Sequence, residues 1–287
     1  MEIENTGLVI EGGGMRGIFS AGVLDYLMEK DINFPYVIGV SMGACNGSSY
    51  VSKQMKRSVR IPMTYLNDWR YLSFKSYLKE GNLFGMDFIF NKIPYELDPF
   101  DFETFEKSNK KFTSVATSCE TGKARYFEKS DITQNIFLKS LEASTSLPFL
   151  STMKVIDGEK LLDGGISDSI PVLKTDNDGY KKQVVILTRE YDYIKKSSNF
   201  LKLITPIYYK KYPELAESII NRAVKYNKTL DYIKKQEKEG NYFVIRPLKA
   251  IEMPRVGKDK DKLRNAYDLG YNQMELLYND LKIFLKN

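Results

Sequence analysis

Tyr36-Val37-Ile38-Gly39-Val40-Ser41-Met42-Gly43-Ala44-Cys45-Asn46 is the stretch from which the rest of the chain can be read. Its first five residues predict a short buried strand, and the small residues from Met42 to Val51 predict a helix packed closely against it. Ser41 falls on the turn between the two. Glycines at 39 and 43 give the Gly-x-Ser-x-Gly spacing of a strained strand-to-helix corner, which exposes the serine oxygen and lets strand and helix pass without colliding side chains. Behind the corner, the helix amino terminus offers unpaired N–H groups and a partial positive charge. The first of these N–H groups belongs to Met42 and points where an oxyanion would form.

The chain has 287 residues and no histidine. That excludes a Ser-His-Asp triad and two-histidine zinc sites, because both need imidazole. If Ser41 is a nucleophile, its base is of another kind. Leu161-Leu162-Asp163-Gly164-Gly165 offers one: Asp163 ends a buried apolar run where two glycines turn the chain without side-chain cover. An isolated Asp-Gly pair is more often a self-bonded turn, and Asp157-Gly158 fits that bland description as the turn of a hairpin.

Upstream, Gly12-Gly13-Gly14-Met15-Arg16-Gly17 follows the apolar run Gly7-Leu8-Val9-Ile10. It matches the Gly-x-Gly-x-x-Gly of dinucleotide sites, but those need an acid at the end of the second strand. Here the second strand ends in Ser41, and Asp31 lies before it. The better reading is that Gly12, Gly13 and Gly14 turn backbone N–H groups toward the point that Met42 also faces. Arg16 either braces this loop or is a solvated arginine at a helix start.

The three motifs together resemble the patatin-like lipid acyl hydrolases of bacterial type. GGGMRG at 12–17, GVSMG at 39–43 and DGG at 163–165 occur in the family's order and approximate spacing. Ala143 to Phe149 is similar to the family's small-residue stretch, and Asp168 and Pro171 to its following segment. The resemblance implies a three-layer α/β/α fold, a parallel-sheet core with crossover helices. It implies a Ser-Asp dyad of Ser41 (nucleophile) and Asp163 (proton acceptor), with Gly12, Gly13, Gly14 and Met42 as oxyanion hole. Arg16, Gly17, Gly39, Gly43, Gly164 and Gly165 would support these groups, and no metal or cofactor is required. The implied activity is that of a phospholipase A or lysophospholipase, cleaving carboxylic esters of lipids through an acyl-enzyme. An esterase of small soluble esters, or a non-catalytic lipid-binding protein, are the alternatives.

The alternation of strand and helix predicts a catalytic domain over residues 6–190. Residues 191–287 read as a basic, mainly helical carboxy-terminal region packed on it, with helices over 213–239 and 259–286 and a strand over 242–245. Residues 60–108 are rich in aromatics and read either as a cap or acyl-chain wall over the serine, or as ordinary core. Charge is uneven: residues 1–179 carry 20 Lys+Arg and 24 Asp+Glu, whereas the remaining 108 carry 23 and 13. Such a basic surface suits anionic membrane lipid, and solvated helix faces produce it too. No nucleic-acid motif accompanies it, and no nucleic-acid partner is expected. The start, Met1 to Asn5, has no secretory pattern and no run spans a bilayer. A cytoplasmic protein touching the inner membrane surface peripherally is expected, with Cys45 and Cys119 as unpaired buried thiols.

Overall fold

The computed structural model describes residues 3–286; Met1 and Glu2 of the amino-terminal stretch discussed above lie outside them, as does Asn287. Among these residues eight strands form one sheet. β1 (Thr6–Ile10), β2 (Tyr36–Val40), β3 (Lys111–Ser118), β7 (Lys182–Ile186) and β8 (Tyr242–Ile245) pair in parallel in the order β3-β2-β1-β7-β8. β4 (Ala124–Glu128) and β6 (Glu159–Asp163) run antiparallel to β3, and β5 (Lys154–Ile156) is the hairpin partner of β6.

Side chains alternate across the strands and both faces are covered, so the central strands are buried at nearly every position. Leu8, Ile10, Val37, Val184 and Ile186 join a core with residues of α1 (Ile18–Glu29), α2 (Met42–Val51) and α10 (Lys260–Lys286). Val9, Ile38, Val40 and Val185 join residues of α7 (Val172–Asn177) and α9 (Pro213–Lys238) on the other face. The result is the expected three-layer α/β/α arrangement. The apolar stripe of α9 read from the sequence, Leu215, Ile219, Ala223, Tyr226, Leu230 and Ile233, is buried throughout.

The carboxy-terminal region is built into this frame. β8 extends the sheet beside β7. α10 crosses α1 so closely that a Cβ on Gly22 would stand 2.1 Å from the Tyr267 carbonyl, and one on Gly270 2.0 Å from that of Phe19. Tyr267 OH donates to Asp25 Oδ2 at 2.8 Å across the same crossing. Residues 60–108 comprise most of α3 (Arg57–Tyr65), α4 (Phe74–Glu80), a π-helix (Phe88–Leu97) and α5 (Phe102–Lys107). They divide between core and cavity: Phe88, Phe100 and Phe105 belong to the core, while Phe84, Met86 and Phe90 line a cavity that Ser41 also lines. No helix among the described residues is long and apolar enough to cross a membrane.

One detail of the sheet brings the motifs together. Ala116 and Thr117 of β3 pair with β4 on one edge and with β6 on the other, and β2 occupies residues 111–115 of that second edge. β2 runs up this edge to Val40, opposite Val115; β6 runs down it to Asp163, opposite Ala116. The two chains therefore meet head to head, about one strand residue, ~3.3 Å, apart along β3. Both must turn away from the sheet at that point.

Candidate active site

Ser41 is where β2 turns away. Its φ of 55° and ψ of −128° put a non-glycine residue in a sparsely populated backbone region, a strain of order 1–3 kcal/mol that persists only when the surroundings impose it. The turn is tight: a Cβ on Gly39 would lie 2.5 Å from the carbonyl of Gly43, itself pressed against the end of β1. Ser41 N–H donates to Ser144 Oγ at 2.8 Å, and the Ser144 hydroxyl donates to the Val115 carbonyl at 2.5 Å. Asp163, where β6 turns away, is held by the same segment, its N–H donating to the Ser146 carbonyl at 2.7 Å. The end of α6 (Gln134–Thr145) thus fastens both chain ends at their meeting point.

The Asp163 carboxylate is 1% exposed. Oδ1 accepts the Gly165 N–H at 2.8 Å and has Arg255 Nη2 4.0 Å away. Oδ2 is buried with no hydrogen-bond partner. Gly164 lies flat against the Val115 carbonyl, and the Gly165 carbonyl accepts from Arg222 Nε of α9. Asp168, just beyond, is turned to Tyr126, whose OH donates to it at 2.9 Å, and burial pushes its pKa up to about 6.

The glycine loop lies on the other side of Ser41. Gly12 is next to Val40 and Ser41, Gly13 next to Thr188, and Gly17 beneath the Met42 side chain. Gly14 takes a φ of 56° beside the backbone of Arg255. The Ser41 side chain does not cap the first turn of α2, where the leading N–H groups of a helix, Met42's first, have no partner within the helix. Arg16 does not brace this loop. Its Nε is buried without a partner, and its pKa is lowered by burial and then by Arg189, against a smaller opposing effect of Glu11. The braces are Asn46, whose Nδ2 donates to the Gly17 carbonyl at 2.7 Å, and Arg255, whose carbonyl accepts the Met15 N–H at 3.0 Å. Glu11, buried beside the loop, accepts from the Thr188 N–H at 2.6 Å and from Tyr226 OH at 2.6 Å.

The cavity beyond Ser41 has a volume of about 120 Å³ and is walled by Ile61, Met86, Phe90, Leu138 and Leu141. Its lining is mostly apolar. Cys45 lies in the wall, its thiol pushed up to about 12 by burial, so it stays protonated. Among the described residues no cluster of three or more metal-ligating side chains occurs. Ser144, Asn46, Arg222 and Arg255 were not singled out as site residues by the sequence. Ser144 lies in the small-residue stretch that carried part of the resemblance; Arg222 and Arg255 come from segments with no local signal.

A strained serine corner, a buried carboxylate meeting it across a strand end, and a glycine loop alongside define a serine-elbow site on a three-layer α/β/α fold. The chain belongs to the patatin-like phospholipase family, whose sequence profile matches residues 8–176. A second profile, a domain of unknown function (DUF6363), matches residues 212–286. The chain is 29% identical over 268 residues to the uncharacterized protein YjjU of Escherichia coli strain K12, covering 92% of this chain and 74% of that one. It is 28% identical over 192 residues to the lysophospholipase NTE1 of Meyerozyma guilliermondii, covering 64% of this chain and 12% of that much longer protein. In structure it is similar to VipD from Legionella pneumophila, with a TM-score of 0.49 and 13% identity over 96% of this chain and 67% of that one.

Proposed function

We propose that this chain hydrolyses carboxylic esters of lipids through a Ser41–Asp163 dyad, as a phospholipase A or lysophospholipase does. The observation that carries the reading is the free Oδ2 of Asp163, buried and unpartnered at the point where β6 meets the serine corner. Ser41 Oγ attacks the ester carbonyl as Oδ2 takes its proton. The N–H groups of Met42, Gly12, Gly13 and Gly14 hold the oxyanion, and the alcohol leaves with the proton returned by Asp163. Water then repeats the sequence on the acyl-enzyme. A carboxylate is a weak base compared with imidazole, so positioning and the oxyanion hole supply most of the acceleration. The sequence requires no metal.

Residues 6–190 supply the dyad and the acyl cavity, while 191–287 supply basic groups beside them and a surface for lipid. That surface is α8 (Asn199–Tyr208), which presents Phe200, Leu203 and Ile207 at 67%, 69% and 73% exposure, with Lys202, Lys210 and Lys211 exposed alongside. An apolar face flanked by lysines suits the headgroup region of an anionic membrane, and two unpaired cysteines suit the reducing cytoplasmic side. The test is hydrolysis of a panel of phospholipids and lysophospholipids in vesicles, with Ser41→Ala as blank. Release of fatty acid by the native chain only is expected. Hydrolysis of soluble short-chain esters with none of vesicle lipid would favour the small-ester esterase instead.

A further inference from the structure

Five cations gather around Glu11 and Asp163, and none of them lines the apolar cavity. Arg16 comes from the glycine loop, Arg189 follows β7, Lys195 lies in the next loop, Arg222 is on α9, and Arg255 precedes α10. They act on one another through space: Arg189 and Arg255 on Arg16, and Arg222, Arg255 and Arg189 on Lys195. Arg222 also carries the repulsion of Arg255. The carboxylates that act on Arg16, Lys195 and Arg222 are Glu11 and Asp163. Glu11 spends its oxygens on the neutral donors Thr188 and Tyr226. Among the described residues, the one ion pair the five cations make is Arg255 with Asp163, at 4.0 Å. All five are half-buried, and Arg16 Nε is buried with no partner.

Gathering like charges out of water is costly unless a counter-charge arrives, and the cluster is built rather than incidental. Lys195 is fixed by its backbone, its N–H donating to Asn227 Oδ1 at 2.9 Å and its carbonyl accepting from Asn227 Nδ2 at 3.0 Å. Burial, then Arg222, push its ammonium down to about 7. The aromatic faces that could hold a quaternary ammonium are taken: Lys195 Nζ sits 4.0 Å from the centre of Tyr226, and the Arg189 guanidinium 4.2 Å from that of Tyr193.

We propose that this cluster is the headgroup subsite of the same active site and takes a phosphate with net negative charge, such as a phosphomonoester, in preference to a zwitterionic choline head. The inference rests on the hydrolase reading, because it makes the anion part of the leaving alcohol. With the acyl chain in the apolar cavity and the ester at Ser41, the alcohol side of the substrate faces Asp163, Arg255 and Arg222. An added trimethylammonium would meet cations whose aromatic partners are occupied. Four of the five cations come from the last 108 residues, so part of the basic excess of the carboxy-terminal third belongs to the site.

The test reads binding without turnover, using Ser41→Ala protein and calorimetric titration with monomeric short-chain ligands. These are 1-hexanoylglycerol 3-phosphate, 1-hexanoylglycerol 3-phosphocholine, 1-hexanoylglycerol and inorganic phosphate. The phosphomonoester is expected to bind at least tenfold more tightly than the other three. Adding Lys195→Met and Arg189→Gln should reduce its preference over the uncharged glycerol ester to under threefold; being a ratio, this cancels any general loss of fold. Equal binding of the three esters, a choline preference, or a preference that survives both substitutions would overturn the proposal. Inorganic phosphate binding as tightly as the phosphomonoester would also overturn it, by assigning the site to a free anion. A chain that binds as expected but hydrolyses no lipid ester would remove the hydrolase reading alone.

Discussion

Ser144→Ala is the most revealing single change, because this hydroxyl joins the serine corner to the sheet. It accepts from Ser41 N–H at 2.8 Å and donates to the Val115 carbonyl at 2.5 Å, and all three residues are buried. Removing it leaves two backbone groups unsatisfied, at about 1–3 kcal/mol each. The space of one hydroxyl, lined on its remaining sides by packed atoms, is too small for a replacement water. A total loss of about 2–4 kcal/mol follows, or roughly 3–7 °C in Tm for a chain of this size. The corner itself loses the bond that opposes its strain, so Ser41 drifts from its aligned position, and a misplacement approaching 1 Å costs about a hundredfold in rate. The assay is hydrolysis of p-nitrophenyl butyrate beside thermal melting followed by circular dichroism. Ser140→Ala is the control: its hydroxyl is equally buried, bonded at 2.7 Å to Ser114 Oγ and at 2.7 Å to the Phe137 carbonyl, one helical turn away. It should destabilise and leave kcat within about threefold. A Ser144→Ala protein with kcat no lower than that of Ser140→Ala would refute the assignment of Ser144 as the bolt of the elbow.

Gly270→Leu should separate α10 from α1, since even a Cβ there would meet the Phe19 carbonyl at 2.0 Å; a lowered Tm with one broadened transition is expected, and unchanged melting would mean the crossing is looser than described. Cys45, although in the cavity wall, should resist iodoacetamide at pH 8 in the folded chain and react on unfolding, because its thiol is held near 12; rapid labelling in the native state, read by mass spectrometry, would contradict that burial. Turnover of a soluble ester should persist in EDTA, since nucleophile, base and oxyanion donors are all supplied by the chain; full loss restored by added metal would count against the dyad.

Much of this was legible in the sequence because it rests on local rules. The apolar runs at 7–10 and 36–40 are strands in a sheet covered on both faces, and the glycine at 39 is demanded by backbone contact with Gly43 four residues on. The role given to Arg16 was not legible, because whether a guanidinium finds an acceptor depends on Arg189 and Arg255, more than 170 residues away in the chain. Asn46 took that role from the buried face of α2. The same distance hid the cation cluster: charge counts gave the basic excess of the last third, but the chain's return through α9 and the loop before α10 decides that Arg222 and Arg255 stand beside Asp163. α8 was missed because Pro206 falls inside its ten residues, and an internal proline ordinarily argues against a helix.

The central claim is that Asp163 activates Ser41, and covalent labelling tests it most directly. A fluorophosphonate probe should modify the native chain at Ser41, mapped by peptide mass spectrometry, with Ser41→Ala giving no adduct. Asp163→Asn, which keeps the size of the side chain and the Gly165 contact at Oδ1, should slow labelling by a hundredfold or more while the protein melts within a few degrees of the native chain. Labelling of Asp163→Asn at the native rate, or an adduct on any residue other than Ser41, would contradict the account.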